Sequence, residues 1–591
     1  MTKGSIKKIT LYDYLKRSLE KFPENKSYSF IDGRGYTYRE FGNKIESLKQ
    51  LLRKYAIRQG DRVAILGSSM PNWPVTYMAA ATSGRIAVPI LPDFTAFEIS
   101  NILTHSEAKA IVVSRRLLYK LSESIRSRLK LIILLDTFEI IKGEESDAAA
   151  VVEPCNEPLP TTEDIASIIY TSGTSGASKG VMLTHGNITA NLQMMYELYP
   201  VLESDEFLSL LPLSHAYECT IGMLYPMTEG AAVYYLDGPP TPSALLPALK
   251  KVRPTCILSV PLIVEKIYKN KIRPVFTRNW AMQTLYSIKP VRRILHRFAG
   301  KKLLELFGGR LRFFGIGGAK LDGMVELFLR DARFPYAIGY GLTECSPLLA
   351  AAVGKFRYRT TGPALKWLDV RIADPDKKGI GEIQVKGPSV MKGYYKDPAR
   401  SRAAFTPDGY FKTKDLGKMD KDGAIYIKGR ADNMLIGSNG ENIYPEEIEA
   451  IIQENAFVVE SIVVQDARKN LVAKVYFNYE QIDAIKELES EIRKNLAEKY
   501  EQLNERYEAL GEKYKKLLRS FFEKKEGKSI KEEYLRRRAI EFNEKLESVK
   551  KNLLEYVNGR VSRTSRLSAV IEQQLPFEKT ATQKIKRYLY N

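Results

Sequence analysis

Apolar positions at helical spacing open the chain. Leu11, Tyr14, Leu15 and Leu19, then Phe41, Ile45, Leu48 and Leu52, predict helices across residues 9–60. Short apolar runs follow at Val63–Leu66, Ala87–Ile90 and Ala110–Ser114, with helical patterns between them. The alternation resumes at Phe207–Pro212, Ala231–Tyr235, Cys256–Val260 and Leu311–Ile316. Strands alternating with helices predict an α/β fold of parallel sheets covered by helices. From about Gly362 the texture changes to short strands and turns: Val370–Ala373, Gly381–Lys386 and Ala424–Lys428. This reads as a β subdomain closing a large N-terminal domain, residues 1–429. A smaller α+β C-terminal domain, residues 430–591, is predicted from Met434–Ile436, a turn at Ser438-Asn439-Gly440, a helix opening at Pro445-Glu446-Glu447, and strands at Val458–Gln465 and Leu471–Phe477.

An insertion interrupts this second domain. Leu496, Leu503, Leu510 and Leu517 repeat every seven residues, with Tyr500, Tyr507, Tyr514 and Phe521 between them. Spacing of four then three is a coiled-coil seam. After Glu526-Gly527-Lys528, Ser529 and Glu532 form a capping pair. A second seam then runs through Leu535, Ala539, Phe542, Leu546, Val549, Leu553 and Tyr556. An antiparallel helical hairpin over 486–556 is expected, each helix covering the other's seam. It reads either as a structural stalk or as a docking or dimerisation arm, which leaves a homodimer open.

A chain of 591 residues exceeds one compact core, in keeping with two domains. Cys155, Cys219, Cys256 and Cys345 lie far apart with no CxxC pairing, which suits a reducing compartment and argues against a zinc site. No run of about 18 apolar residues is present, so no membrane-spanning helix is expected. The net charge of +21 is unevenly spread. Between Lys266 and Arg312, thirteen Lys and Arg face one acid, Glu305, among Tyr268, Phe276, Trp280, Tyr286 and Phe298. Basic residues mixed with aromatics fit an anionic membrane surface, and fit nucleic acid less well; no nucleic acid partner is expected. A solvated basic face is the plain alternative. The expected location is cytoplasmic, peripheral on the inner face of a membrane.

The chemistry concentrates at residues 168–186, Ile-Ile-Tyr-Thr-Ser-Gly-Thr-Ser-Gly-Ala-Ser-Lys-Gly-Val-Met-Leu-Thr-His-Gly. An apolar run breaks into a loop of Gly, Ser and Thr closed by Lys179-Gly180. Gly173, Gly176 and Gly180 are expected to let the backbone adopt positive φ and bring its N–H groups to an anion. Thr171, Ser172, Thr174 and Ser175 add hydroxyls, and Lys179 adds a point charge. The spacing is not that of a Walker A loop.

This stretch resembles the phosphate loop of the adenylate-forming superfamily, which includes acyl-CoA synthetases, nonribosomal-peptide adenylation domains and luciferases. Further segments resemble the same family in order. Pro212-Leu213-Ser214-His215-Ala216 is similar to the element beside the carboxylate substrate, with His215 the candidate. Gly315-Ile316-Gly317-Gly318-Ala319 is similar to the loop flanking adenine. In Gly339-Tyr340-Gly341-Leu342-Thr343-Glu344-Cys345, the resemblance implies that Tyr340 and Gly341 meet adenine, Thr343 bonds phosphate and Glu344 holds Mg²⁺. In Thr413-Lys414-Asp415-Leu416-Gly417, it implies that Asp415 accepts the ribose hydroxyls. Gly429-Arg430-Ala431-Asp432 resembles the hinge, with Arg430 near the nucleotide and Asp432 as pivot. The loop around Gly440 resembles the lining of a thiol tunnel, and the stretch Phe577 to Arg587 resembles the catalytic lysine motif, with Lys584 as that lysine. Gln583 stands where the family usually has Gly, and Asn433 where it usually has an acid.

The resemblance implies ATP, Mg²⁺ and CoA as cofactor and co-substrates, and a carboxylic acid activated as its acyl-adenylate. Val260 to Tyr268 and Pro445 to Glu449 are most similar to long-chain fatty acid–CoA ligases, so fatty acid is the expected substrate. An acyl carrier protein as acceptor is the nearer alternative. A scaffold protein with a vestigial site is the more distant one.

Overall fold

The computed structural model describes residues 6–143, 157–171, 178–238, 240–276, 280–354, 357–437, 441–455, 457–482, 530–580 and 585–590; at 280, 281, 480, 481, 530–539 and 541 it describes the backbone alone. The chain divides into two compact units, with the boundary between Asp432 and Asn433.

The first unit is built on two eight-stranded sheets and a four-stranded one. The first large sheet runs, in spatial order, Leu348–Val353, Tyr336–Gly341, Phe313–Ile316, Cys256–Ser259, Glu206–Ser209, Ala232–Tyr235, Lys26–Phe30 and Gly35–Thr37. From Tyr336–Gly341 through Lys26–Phe30 neighbouring strands are parallel. The second runs Gly393–Tyr394, Lys179–Thr184, Ile165–Thr171, Ile86–Ile90, Arg62–Leu66, Ala110–Val113, Leu131–Leu134 and Ile140–Gly143. Its central strands are parallel and buried on both faces, which is why they read as unbroken apolar runs. The four strands Asp369–Ala373, Gly381–Lys386, Phe411–Met419 and Ile425–Arg430 form an antiparallel sheet.

Residues 9–60 are not wholly helical as expected. Helices Leu11–Lys21 and Tyr38–Lys54 begin where Thr10 and Thr37 cap them, each in a reciprocal box with Asp13 and Glu40. Between them lie the strands Lys26–Phe30 and Gly35–Thr37. The polar segment Lys-Ser-Tyr-Ser-Phe carries little apolar signal. It becomes a strand because Tyr28 pairs with Val233 and packs in the core.

The second unit packs the antiparallel pair Val458–Gln465 and Leu471–Phe477, joined in parallel by Ala569–Glu572, against the helices Pro445–Gln453 and Ile530–Asn558. The first predicted seam, Leu496 to Phe521, lies outside the described residues. The second lies on the helix Ile530–Asn558, but its cover differs from the expectation. Leu546 and Leu553, with Val557, are buried in the core of this unit, and Phe542 and Val549 pack against them. The last four turns of that helix therefore pack in the domain core, and the other helix of the expected hairpin lies outside the described residues.

Candidate active site

The phosphate-loop segment is held by a β-hairpin. Ile165–Thr171 and Lys179–Thr184 run antiparallel, and Thr171 faces Lys179 in register across the loop mouth. Buried Ala166, Ile168, Val181 and Leu183 root both strands. A Cβ on Gly180 would fall 2.9 Å from the Ile168 side chain, so glycine lets the strands close just before the loop. Ser172, Gly173, Thr174, Ser175 and Gly176 lie outside the described residues, as do Gly440 and Lys584. Thr171 Oγ1 is shielded from solvent and has no hydrogen-bond partner among the described residues.

Lys179 reaches into the turn after Tyr336–Gly341. Its Nζ lies 2.6 Å from Glu344 Oε1 and donates to Tyr394 Oη at 2.9 Å, with the ammonium 4.7 Å from the Tyr394 ring centre. Tyr394 in turn donates to Glu344 Oε1 at 3.0 Å. Burial works to raise the Glu344 carboxyl, but the Lys179 ammonium and the Tyr394 hydroxyl outweigh it and hold the group below the usual carboxylate range. Glu344 is therefore an anion at neutral pH. Burial pushes the Tyr394 hydroxyl up, and the neighbouring carboxylate adds to this, so it remains a donor.

A second polar cluster begins four residues before Glu344. Tyr340 donates to Asp415 Oδ2 at 2.7 Å, and Arg430 Nη1 donates to Asp415 Oδ1 at 2.7 Å. Asp415 and Arg430 face each other across adjacent antiparallel strands, so sheet register fixes the pair. Asp415 is buried. Burial tends to lower the Arg430 guanidinium, and the Asp415 charge more than restores it. Lys414 Nζ lies 3.3 Å from Asp432 Oδ1. Gly341 has a steric reason: a Cβ there would meet the Pro347 carbonyl oxygen at 2.0 Å.

The glycine-rich segment after Phe313–Ile316 borders Tyr217, whose ring would lie 3.3 Å from a Cβ on Gly317. Gly318, at φ +85°, turns the chain outward, and Ala319 is exposed. His215 is half-buried, and its Nδ1 accepts from the backbone N–H of Tyr217 at 3.3 Å. Thr343 is also half-buried in the turn beside Glu344. His215 and Gly317 thus follow, and Gly341 ends, strands that run parallel in the first large sheet, at the edge where ligands of α/β folds bind.

Three residues here were not singled out in the sequence. Tyr394 comes from the two-residue strand Gly393–Tyr394 paired with Val181 and Met182, too short for any periodicity to reveal. Tyr217 and Glu218 follow His215 into a π-helical turn. Glu218 is fully buried; it accepts from Ser209 Oγ at 2.6 Å while its Oε2 has no partner among the described residues, and burial pushes it up to about 8.

Among the described residues an ammonium, an ionised carboxylate and an unpartnered hydroxyl fit a magnesium-bound polyphosphate. Among the described residues no group of three or more His, Cys, Asp or Glu could hold a metal by itself. A single carboxylate is enough for Mg²⁺, which commonly completes its shell with phosphate oxygens and water.

The model of the AMP-binding enzyme family matches residues 15–395, and that of the AMP-binding enzyme C-terminal domain matches residues 432–553. The chain belongs to the AMP-binding, adenylate-forming enzyme family. Within that family it is 28% identical to long chain acyl-CoA synthetase 1 of Arabidopsis thaliana over 538 residues, 80% of each chain. It is 26% identical to the chloroplastic long-chain-fatty-acid–[acyl-carrier-protein] ligase AEE15 of the same plant, across 76% of this chain and 73% of the other. The fold matches O-succinylbenzoate coenzyme A synthetase of Bacillus subtilis in complex with ATP and magnesium ion, with a TM-score of 0.70 at 19% identity, covering 97% of this chain and 98% of that one. This AMP-binding enzyme thus has the mixed α/β architecture of its family, a large parallel-sheet domain followed by a smaller one. No helix among its described residues is long and apolar enough to cross a membrane.

Proposed function

We propose that the protein is a long-chain fatty acid–CoA ligase that works through an acyl-adenylate. The observation that carries this reading is the joining of Lys179, Tyr394 and Glu344 in one polar cluster, four residues along the chain from the Tyr340–Asp415–Arg430 cluster. The first cluster suits phosphate and the second suits ribose. The long-chain assignment draws its support from the names of the relatives and from the segments Val260 to Tyr268 and Pro445 to Glu449.

In the first half-reaction the fatty carboxylate attacks the α-phosphorus of ATP, and pyrophosphate leaves. Lys179 and the hydroxyls of Thr171, Ser172, Thr174, Ser175 and Thr343 hold the phosphates, and the backbone at Gly173, Gly176, Gly317, Gly318, Ala319 and Gly341 lets the nucleotide approach. Tyr340 covers the adenine, while Asp415 accepts the ribose hydroxyls with Arg430 fixing its charge. Glu344 would hold Mg²⁺, which supplies charge neutralisation on the phosphates. Positioning and charge stabilisation provide most of the catalysis in phosphorus chemistry of this kind. Lys584 would bridge the carboxylate and α-phosphate, with His215 bordering the carboxylate. In the second half-reaction the C-terminal domain turns about Asp432 and brings the Gly440 loop to the path of the thiol. The CoA sulfur then attacks the acyl carbonyl, and AMP leaves.

The test is ATP–pyrophosphate exchange with acids from acetate to oleate, with Lys179→Met and Lys584→Ala alongside. Exchange with long acids, lost in both variants, is expected. Exchange confined to short or aromatic acids would overturn the chain-length reading, and silence with every acid would overturn adenylation. An acyl carrier protein as acceptor is the second reading, favoured by the relative that bears that name. Acyl transfer from the adenylate to holo-carrier protein but not to CoA would establish it.

A further inference from the structure

The helix Lys289–Leu306 has one fixed face and one bare one. On the inner face His296, Gly300 and Leu303 are buried. A Cβ on Gly300 would lie 2.5 Å from Ala332 Cβ, so the helix sits close to its neighbour. His296 bonds Asp331 Oδ2 through Nδ1 at 3.1 Å and Tyr286 Oη through Nε2 at 2.8 Å, and its ring meets the edge of Phe328. These contacts lock the rotation of the helix about its axis.

The opposite face carries an apolar ridge. Ile294 is 53% exposed and Phe298, one turn on, is 67% exposed, with one exposed acid, Glu305, further along the same face. Leu285 and Ile288, just before the helix, extend the same character at 45% and 47%. Arg293, Arg297 and Lys301 recur every four residues along one flank of the ridge, and Lys302 stands on the other, all exposed. Arg293 reaches Asp331 at 3.8 Å, whereas no acid among the described residues lies within ion-pair distance of Arg297, Lys301 or Lys302. A ridge this open costs hydration free energy unless something covers it.

We propose that this face docks on an anionic lipid bilayer. An interfacial helix presents aliphatic and aromatic side chains to the acyl boundary and Lys or Arg to the headgroups. Here the ridge and its basic flanks occupy those places, and the buried His296 face holds the helix in that orientation. An acidic protein would meet the same charges but would leave the convex Ile294–Phe298 ridge without a groove to fill. The proposal does not depend on which acid or acceptor the enzyme uses.

The full chain is sedimented with vesicles of phosphatidylcholine alone and of phosphatidylcholine with one-third phosphatidylglycerol, without substrate. Binding to the anionic vesicles alone, lost in half-molar salt, is expected. The triple variant Arg297→Glu, Lys301→Glu, Lys302→Glu should lower partitioning by about a hundredfold. Ile294→Ser with Phe298→Ser should lower it by about tenfold at low salt, where the charges remain. Melting temperatures equal to the parent's certify folding, and Phe298→Ser alone serves if the double variant melts early. Failure of the parent to bind anionic vesicles, or equal binding by parent and variants, overturns the proposal. So does capture by an acidic carrier protein in place of vesicles.

Discussion

Lys179 and Glu344 meet at 2.6 Å although 165 residues separate them, and the hydroxyl of Tyr394 touches both. Under the proposed function Tyr394 is thereby a positioning residue for a cation and an anion that would face the same nucleotide. Tyr394→Phe keeps the ring beside Lys179 and removes both hydrogen bonds. A loss of about 1 kcal/mol, roughly fivefold in kcat/KM for ATP, is expected. The acid limb of the pH profile should move upward, because one of the groups holding Glu344 low is gone. An unchanged acid limb would mean that the hydroxyl only packs.

Lys179→Met removes the charge that counters burial at Glu344. The carboxyl then rises toward and past its ordinary value, so it stays ionised only at higher pH. Magnesium–nucleotide binding, followed by calorimetry from pH 5 to 8, should weaken about tenfold or more at neutral pH and recover partly as pH rises. Equal weakening at all pH values would show that Lys179 acts on phosphate alone.

Asp415 is buried and shares its oxygens between Tyr340 and Arg430. Arg430→Ala takes a bonded cation away from that buried carboxylate, and a cost of about 2–4 kcal/mol to the first unit is expected. Adding Asp415→Asn should return part of this, since the buried charge is then gone. Scanning calorimetry on the single and double variants checks both statements. A double variant less stable than Arg430→Ala would remove the argument.

Glu218 stays protonated in the fold up to about pH 8, while an unfolded chain releases the proton near the ordinary carboxyl value. Its folded value is raised, so the stabilising effect of protonation is complete at acid pH and is lost as pH climbs to about 8. The slope contributed is at most about 1.4 kcal/mol per pH unit. Glu218→Gln should flatten the fall in urea-unfolding stability over that range. A slope identical to the parent's would place the proton elsewhere.

In the second unit, Arg587 pairs with Glu449, which also accepts from Val463 N at 2.7 Å. Burial pushes Glu449 up to about 7, against the pull of Arg587. Arg587→Ala should cost about 3 kcal/mol, and Glu449→Gln in the same chain should recover part of it. Urea denaturation of the two variants supplies the comparison.

The parallel strands were legible because burial on both faces demands unbroken apolar runs, as at Ala110–Val113 and Cys256–Ser259. The strand Ile165–Thr171 was legible from its apolar run, whereas its antiparallel partner Lys179–Thr184 was not, since Lys179-Gly180 read as the close of a loop. Lys26–Phe30 was not, since its pairing with Ala232–Tyr235 lies some 200 residues away and its own composition is polar. Tyr394 was hidden for the same reason, as its role depends on a strand of two residues. The stripe Phe542, Leu546, Val549 and Leu553 was seen, but periodicity records only that a face is covered. Here the cover is the sheet of the second unit.

The two large sheets share the chain in alternation. The first takes Lys26–Phe30, the second takes 62–184, the first resumes at 206–353, and the second is completed only by Gly393–Tyr394. A nascent chain therefore cannot finish either sheet from its own early half. At about 5–20 residues per second, a ribosome needs tens of seconds between the first of these strands and the last. Until residue 235 is made the partner side of Lys26–Phe30 stays open to wrong pairing, and until residue 394 the edge of Lys179–Thr184 does. Biosynthesis of this protein is thus exposed to misassembly for longer than its sequential α/β pattern implies, and a fragment ending before residue 393 inherits that exposure permanently.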